Sequence, residues 1–134
     1  MIGLVVLTHG QMAAECLRAA EMIIGPIAAA RAVSIDRSWS VEEASSALDR
    51  ALTEVDEGSG VLVLTDMFGG TPTNIAAGFL EERHIDILAG VNLPILIKAA
   101  GARLQMDLAP LTEFLRDYGR QAVLRPIDLL KARS

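Results

Sequence analysis

The sequence predicts an α/β fold: one domain, residues 1–134, built as a single doubly wound, mostly parallel sheet with helices on both faces. Three observations lead there. Two continuous apolar runs rich in β-branched residues, Ile2-Gly3-Leu4-Val5-Val6-Leu7 and Val61-Leu62-Val63-Leu64, read as strands buried on both faces, the mark of a parallel sheet. Segments with helical periodicity alternate with the strand candidates. No internal repeat, low-complexity tract or linker divides the chain, and 134 residues suit one core.

The first strand stops at Thr8-His9-Gly10, leaving His9 at its carboxyl end. Ala13, Cys16, Leu17, Ala20 and Ile24 then recur at helical spacing until Gly25-Pro26 ends the helix. Ala32-Val33-Ser34-Ile35 is a short second strand, and Trp39, in the loop after it, is expected to pack over the next helix. Ser40-Val41-Glu42-Glu43 is a capping box, in which the serine bonds the amide three residues on and Glu43 bonds back. Val41, Ala44, Leu48, Leu52 and Val55 line one face of that helix, and Glu57-Gly58-Ser59-Gly60 closes it. The strand Val61-Leu62-Val63-Leu64-Thr65 ends in Asp66, followed by the turn Met67-Phe68-Gly69-Gly70. Thr71 is the expected N-cap of a helix running to about Arg83, with Pro72 at its first position, where a missing N–H costs nothing. His84-Ile85-Asp86-Ile87-Leu88 is the fourth strand candidate, with His84 expected on the surface or in a turn. Gly90-Val91-Asn92-Leu93-Pro94 turns into a further helix. Asp107 is expected to cap the last clear helix and Gly119 to close it. Val123-Leu124-Arg125-Pro126 reads as a short edge strand, because proline is excluded from a central one.

Composition removes several function classes. Hydrophobic residues make up 51% of the chain, yet no apolar run approaches the ~20 residues of a membrane span. No signal peptide is expected, since the first residues lack a basic flank and a small-residue cleavage site. A single cysteine, Cys16, gives no internal disulfide framework and suits a reducing cytoplasm; it reads as a small buried hydrophobe on the first helix. A formal net charge of −5 argues against a nucleic-acid partner, which requires a basic face. No His, Cys, Asp and Glu spacing suggests a metal site, and no cofactor is expected.

Two strands distant in sequence end in polar residues, His9 and Asp66. In a parallel sheet both ends lie on one edge, and ligands bind at that edge. A carboxylate that accepts a hydrogen bond from one imidazole nitrogen fixes the tautomer and leaves the other nitrogen as a base or nucleophile. An unperturbed imidazole titrates near ~6.5, so much of it is neutral at cytoplasmic pH. Gly69, Gly70 and Thr71 follow directly, and a glycine turn entering a helix lets backbone N–H groups approach an anion. A nucleophilic nitrogen, its orienting carboxylate and an anion cradle together suggest phosphoryl transfer through a phosphohistidine. Phe68, in the turn between them, is read as a partner contact.

Three collinear motifs, Leu7-Thr8-His9-Gly10, Asp66-Met67-Phe68-Gly69-Gly70-Thr71-Pro72-Thr73-Asn74 and Gly90-Val91-Asn92-Leu93-Pro94, resemble the mannose-type IIA component of the bacterial phosphoenolpyruvate-dependent sugar phosphotransferase system. The resemblance spans essentially the whole chain. It implies that His9 takes a phosphoryl group on Nε2 from phospho-HPr and passes it to a IIB protein or domain. It also implies that Asp66 bonds the other ring nitrogen, and that Thr71 stands where a serine usually contacts the phosphoryl group. A cytoplasmic homodimer follows from it too, in which the C-terminal strand, here Val123-Leu124-Arg125, pairs with the partner subunit's sheet. Two departures stand out. Met67 replaces a usual leucine, and Thr73 occupies a position where an aromatic is common, which bears on the partner-facing lip beside Phe68. No IIB domain is expected to follow, so a free-standing regulatory module, whose phosphorylation state controls a partner protein, is the alternative to sugar uptake.

Other classes fit less well. Histidine phosphatases and mutases carry their nucleophile in an Arg-His-Gly context, and Thr8 removes the bidentate phosphate clamp that arginine supplies. A receiver-like domain phosphorylated on Asp66 needs an acidic pair after the first strand to hold magnesium, and Leu7-Thr8-His9 has none. A module that only binds protein has no use for the set His9, Asp66 and Thr71.

Overall fold

A computed structural model describes residues 1–132. In chain order the elements are β1 (Gly3–His9), α1 (Met12–Ile24), β2 (Ala30–Ile35), α2 (Val41–Val55), β3 (Val61–Thr65), α3 (Thr71–Ala77), β4 (Ile85–Ala89), α4 (Leu93–Ala102), α5 (Leu108–Gln121) and α6 (Pro126–Ala132). The four strands form one sheet in the order β2-β1-β3-β4, and every pairing is parallel.

Alternation along the strands divides the core into two layers. Leu4, Val6, Leu62, Leu64 and Leu88 face α1, α4 and α5, where they meet Ala13, Ala20, Leu96, Ala99, Leu111 and Leu115. Val5, Leu7, Val33, Val61 and Val63 face α2 and α3, against Ala44, Leu48, Leu52, Ile75 and Ala76. Each fully buried leucine stabilises the fold by about 1.5–3 kcal/mol. Because both faces are covered, β1 and β3 are apolar at consecutive positions, which is why these runs read as strands without alternation. Among the described residues no helix is long and apolar enough to cross a membrane.

The capping box forms as expected: the Glu43 amide donates to Ser40 Oγ at 3.0 Å, and the Ser40 amide donates to the Glu43 carboxylate at 3.3 Å. Trp39 packs against the α2 layer. Several boundaries differ from the sequence reading. Val41 begins α2 but is exposed, so the buried face starts at Ala44. The helix expected to reach Arg83 ends at Ala77, where Gly78, Phe79 and Leu80 donate to carbonyls three residues back, a tightening that unwinds the α pattern. Gly119 lies inside α5 rather than after it. It is buried where α5 crosses α4, and a Cβ there would collide with the Ile95 side chain. The edge strand expected at Val123-Leu124-Arg125 is not formed: these residues link α5 to α6 without pairing to any described strand. Pro126 opens α6 instead, since proline suits a first helical turn as well as it suits a strand edge.

Candidate functional site

The strand order reverses between β1 and β3, and the site lies there, at the carboxyl edge of the sheet. The pairing of Leu7 with Thr65 sets His9 and Asp66 side by side. Thr8 is fully buried; its hydroxyl accepts the Ala13 amide at 2.7 Å and donates to the His9 carbonyl at 3.1 Å, tying the end of β1 to the start of α1. The Ser34 hydroxyl accepts the next amide, from Ala14, at 3.2 Å. His9 thus stands on a backbone fixed from both neighbouring elements.

The Asp66 carboxylate takes two bonds from one residue. Its Oδ2 accepts the His9 backbone amide at 3.0 Å and lies 2.7 Å from His9 Nδ1, while Oδ1 accepts the Met67 amide at 3.0 Å. Burial works to raise the Asp66 pKa, but the hydrogen bonds from the His9 ring and amide, with the attraction of the ring's charge, prevail and hold it below the ordinary carboxylate range. An ionised carboxylate only accepts, so Nδ1 carries the proton and Nε2 of the neutral ring keeps its lone pair. The His9 side chain is 52% exposed and that of Asp66 only 12%: the carboxylate is sheltered and the imidazole is open. A site this open suits a protein surface better than an enclosed small molecule.

Gly70 closes over the ring. A Cβ at this residue would stand 2.9 Å from His9 Cε1 and 3.6 Å from Nε2, so glycine is what keeps the loop close to the imidazole without touching it. Gly69 has φ of +83°, a left-handed conformation that side chains rarely adopt, and it turns the chain into α3. The expected N-cap at Thr71 moves back one residue: Gly70 is the cap, Thr71 the first helical residue and Pro72 the second. The Thr71 residue remains exposed beside the glycines. Phe68 is 84% exposed and Met67 is exposed next to it, an apolar rim at the mouth of the site.

Thr73 does not belong to that rim. It is buried, and its hydroxyl donates to the Met67 carbonyl at 2.7 Å and lies 2.7 Å from the Thr65 hydroxyl. Sequence reasoning missed this link; its only signal was a polar residue at a position where the helix turns inward. The third motif serves the same end. The Gly90 and Val91 amides both donate to the Thr65 carbonyl, at 3.0 and 2.9 Å, and Asn92 caps α4 by accepting the Ile95 amide at 2.9 Å. His84 lies on the surface at the start of β4, the opposite edge of the sheet from His9, with its ring beside Gly60. Cys16 is half-buried, and burial pushes its thiol up.

Comparison with known proteins shows the family. A family model described as "PTS system fructose IIA component" matches residues 3–115. The fructose-specific EIIA component of Bacillus subtilis is 32% identical over 123 residues, covering 91% of this chain and 84% of the relative. The mannose-specific EIIAB component of Escherichia coli K12 is 32% identical over 103 residues, covering 76% of this chain but 32% of that longer protein. Among solved structures, a mannose/sorbose-specific IIA subunit from Enterococcus faecalis superposes with a TM-score of 0.84 at 31% identity, covering 92% of this chain and 93% of the other. The EIIA component from Streptococcus agalactiae gives the same TM-score at 26% identity, over 93% and 97%. The chain therefore belongs to the EIIA-man family, the IIA components of the sugar phosphotransferase system, which are phosphotransfer proteins.

Proposed function

We propose that this chain carries a phosphoryl group on His9 Nε2, taking it from phospho-HPr and delivering it to a IIB protein or domain in the cytoplasm. The observation that carries the reading is the Asp66–Nδ1 bond, which leaves the Nε2 lone pair free on a half-exposed ring. In the forward step the lone pair attacks phosphorus as the bond from phosphorus to the donor breaks. A positive charge develops on the imidazole, and Asp66 offsets it across the Nδ1–H bond. Delivery is the reverse, with the acceptor as nucleophile and His9 as leaving group. The Gly69, Gly70 and Thr71 amides and the Thr71 hydroxyl receive the phosphoryl oxygens, while Phe68 and Met67 meet the partner.

We also assign a homodimer. Val123 is 80% exposed, with Leu124, Leu129 and Leu130 exposed after it, and the outer edge of β4 pairs with no described strand. An apolar segment and an open sheet edge are complementary surfaces on two copies of the chain.

Incubation with phosphoenolpyruvate, enzyme I and HPr tests the central claim. The wild-type chain should take an acid-labile, base-stable label and His9→Ala should take none. Label on His9→Ala removes His9 from the reaction, and loss of wild-type label in hydroxylamine points instead to an acyl phosphate on Asp66.

A further inference from the structure

We propose that the Thr73 hydroxyl is a positioning group for His9, acting through Met67 and Asp66. The Met67 carbonyl can only accept, so the Thr73 proton is directed at it, and the Thr73 oxygen is left to accept the Thr65 proton. Both threonines are buried, Thr65 completely. The link thus joins the last residue of β3 and the first helical turn of α3 to the residue that follows Asp66. Met67 is held on both sides: its carbonyl by Thr73, and its amide by Asp66 Oδ1 at 3.0 Å. The other carboxylate oxygen holds the His9 ring. A sequence of hydrogen bonds therefore runs from α3 through Thr73, Met67 and Asp66 to Nδ1, and Thr65 is anchored a second time through its carbonyl by the Gly90 and Val91 amides.

The consequence is geometric. Removing the Thr73 hydroxyl frees the Met67–Phe68 peptide to rotate, and through the Met67 Cα it loosens the preceding peptide, whose amide sets the plane of the carboxylate. His9 then samples both tautomers, and Nε2 spends less time as the lone-pair nitrogen facing outward. A misplacement of about 1 Å at such a site lowers a transfer rate by up to roughly a hundredfold.

The inference rests on the phosphohistidine reading above, and the test separates the two. Thr73→Val keeps the side-chain volume and removes both hydrogen bonds; Thr73→Ser keeps the hydroxyl. The chain has two histidines, so with 15N-histidine labelling His84 serves as an internal reference at the far edge of the sheet. Thr73→Val should bring the separated Nδ1 and Nε2 shifts of His9 together and slow phosphoryl transfer from HPr about tenfold or more. Thr73→Ser should keep both readouts near wild type. Wild-type shifts or a wild-type rate in Thr73→Val overturns the proposal, and a rate lost with unchanged shifts assigns Thr73 to partner contact instead. Where Thr73→Val does not fold, Thr73→Ala takes its place, and failure of both to fold makes Thr73 a fold determinant and overturns the positioning role. A wild-type chain that takes no label sinks the phosphohistidine reading alone, because the tautomer comparison still decides whether Thr73 orients the ring.

Discussion

At Gly70 the backbone is extended, with φ of −88° and ψ of 169°, so any residue could adopt it and only space demands glycine. A methyl group there meets the His9 ring at 2.9 Å, so the ring is pressed out of its place against Asp66 or the loop gives way. Gly70→Ala should therefore fold normally yet take phosphoryl at least about tenfold more slowly, as followed by labelled phosphate. The same variant with unchanged kinetics would mean the ring has room to move while still paired. Asp66 offers a different handle. Its pKa is depressed in the folded chain, so its contribution to stability is complete above the unfolded carboxylate value near ~3.9 and is lost as pH falls through the folded value. Asp66→Asn lacks that titration. Denaturation midpoints for wild type should exceed those of the variant at pH 6, with the gap closing as pH drops below about 4. The variant should also transfer phosphoryl more slowly at neutral pH with its fold intact, since it retains the shape but not the charge. A gap that stays constant with pH would remove the Asp66 charge from the stability of the fold.

Between elements, one arginine does what a strand cannot. Arg103, just past α4, is buried and donates to the carbonyls of Ile2 at 3.1 Å, Ala28 at 2.7 Å and Ala100 at 3.2 Å, joining the start of β1, the approach to β2 and the end of α4. Burial pulls the guanidinium below its usual pKa. Arg103→Ala leaves these carbonyls without their donor and should cost about 2–4 kcal/mol in urea unfolding. Arg103→Lys should recover little, because one ammonium cannot span three carbonyls. Such a link is invisible in sequence, where Arg103 reads as one more surface charge. The strands were legible because burial on both faces writes itself as unbroken apolar runs, and the cap of α2 because its chemistry is local. His9 and Asp66 were legible for the same reason: each is the polar residue that stops such a run. The end of α3, the role of Gly119 and the fate of residues 123–125 depend on contacts with distant residues. Pro126 illustrates this, since the same residue permits an edge strand or a helix start. The buried role of Thr73 is not legible because its partners, Thr65 and Met67, become neighbours only when α3 folds back over β3.

For the whole molecule the open question of surface is assembly. The exposed side chains of Val123 and Leu124 and the free edge of β4 predict a dimer, and light scattering at micromolar concentration should give twice the chain mass. Replacing Val123 and Leu124 with aspartate should return a monomer whose His9 still takes label, since neither residue touches the His9–Asp66 pair. A wild-type monomer under these conditions would dismiss the proposed interface.

His9 and Asp66 are 57 positions apart, and the chain between them includes β2, α2 and β3. Their bond exists only when β1 and β3 lie in one register, with Leu7 opposite Thr65. A slip of one residue turns every side chain on a strand to the other face. Chemical competence is therefore acquired late and all at once: a nascent chain that ends before Asp66 holds the histidine but not the means to aim it. Under the function proposed above, only a molecule that has finished its central strand pairing would enter the relay, and incompletely folded copies would draw no phosphate from the donor.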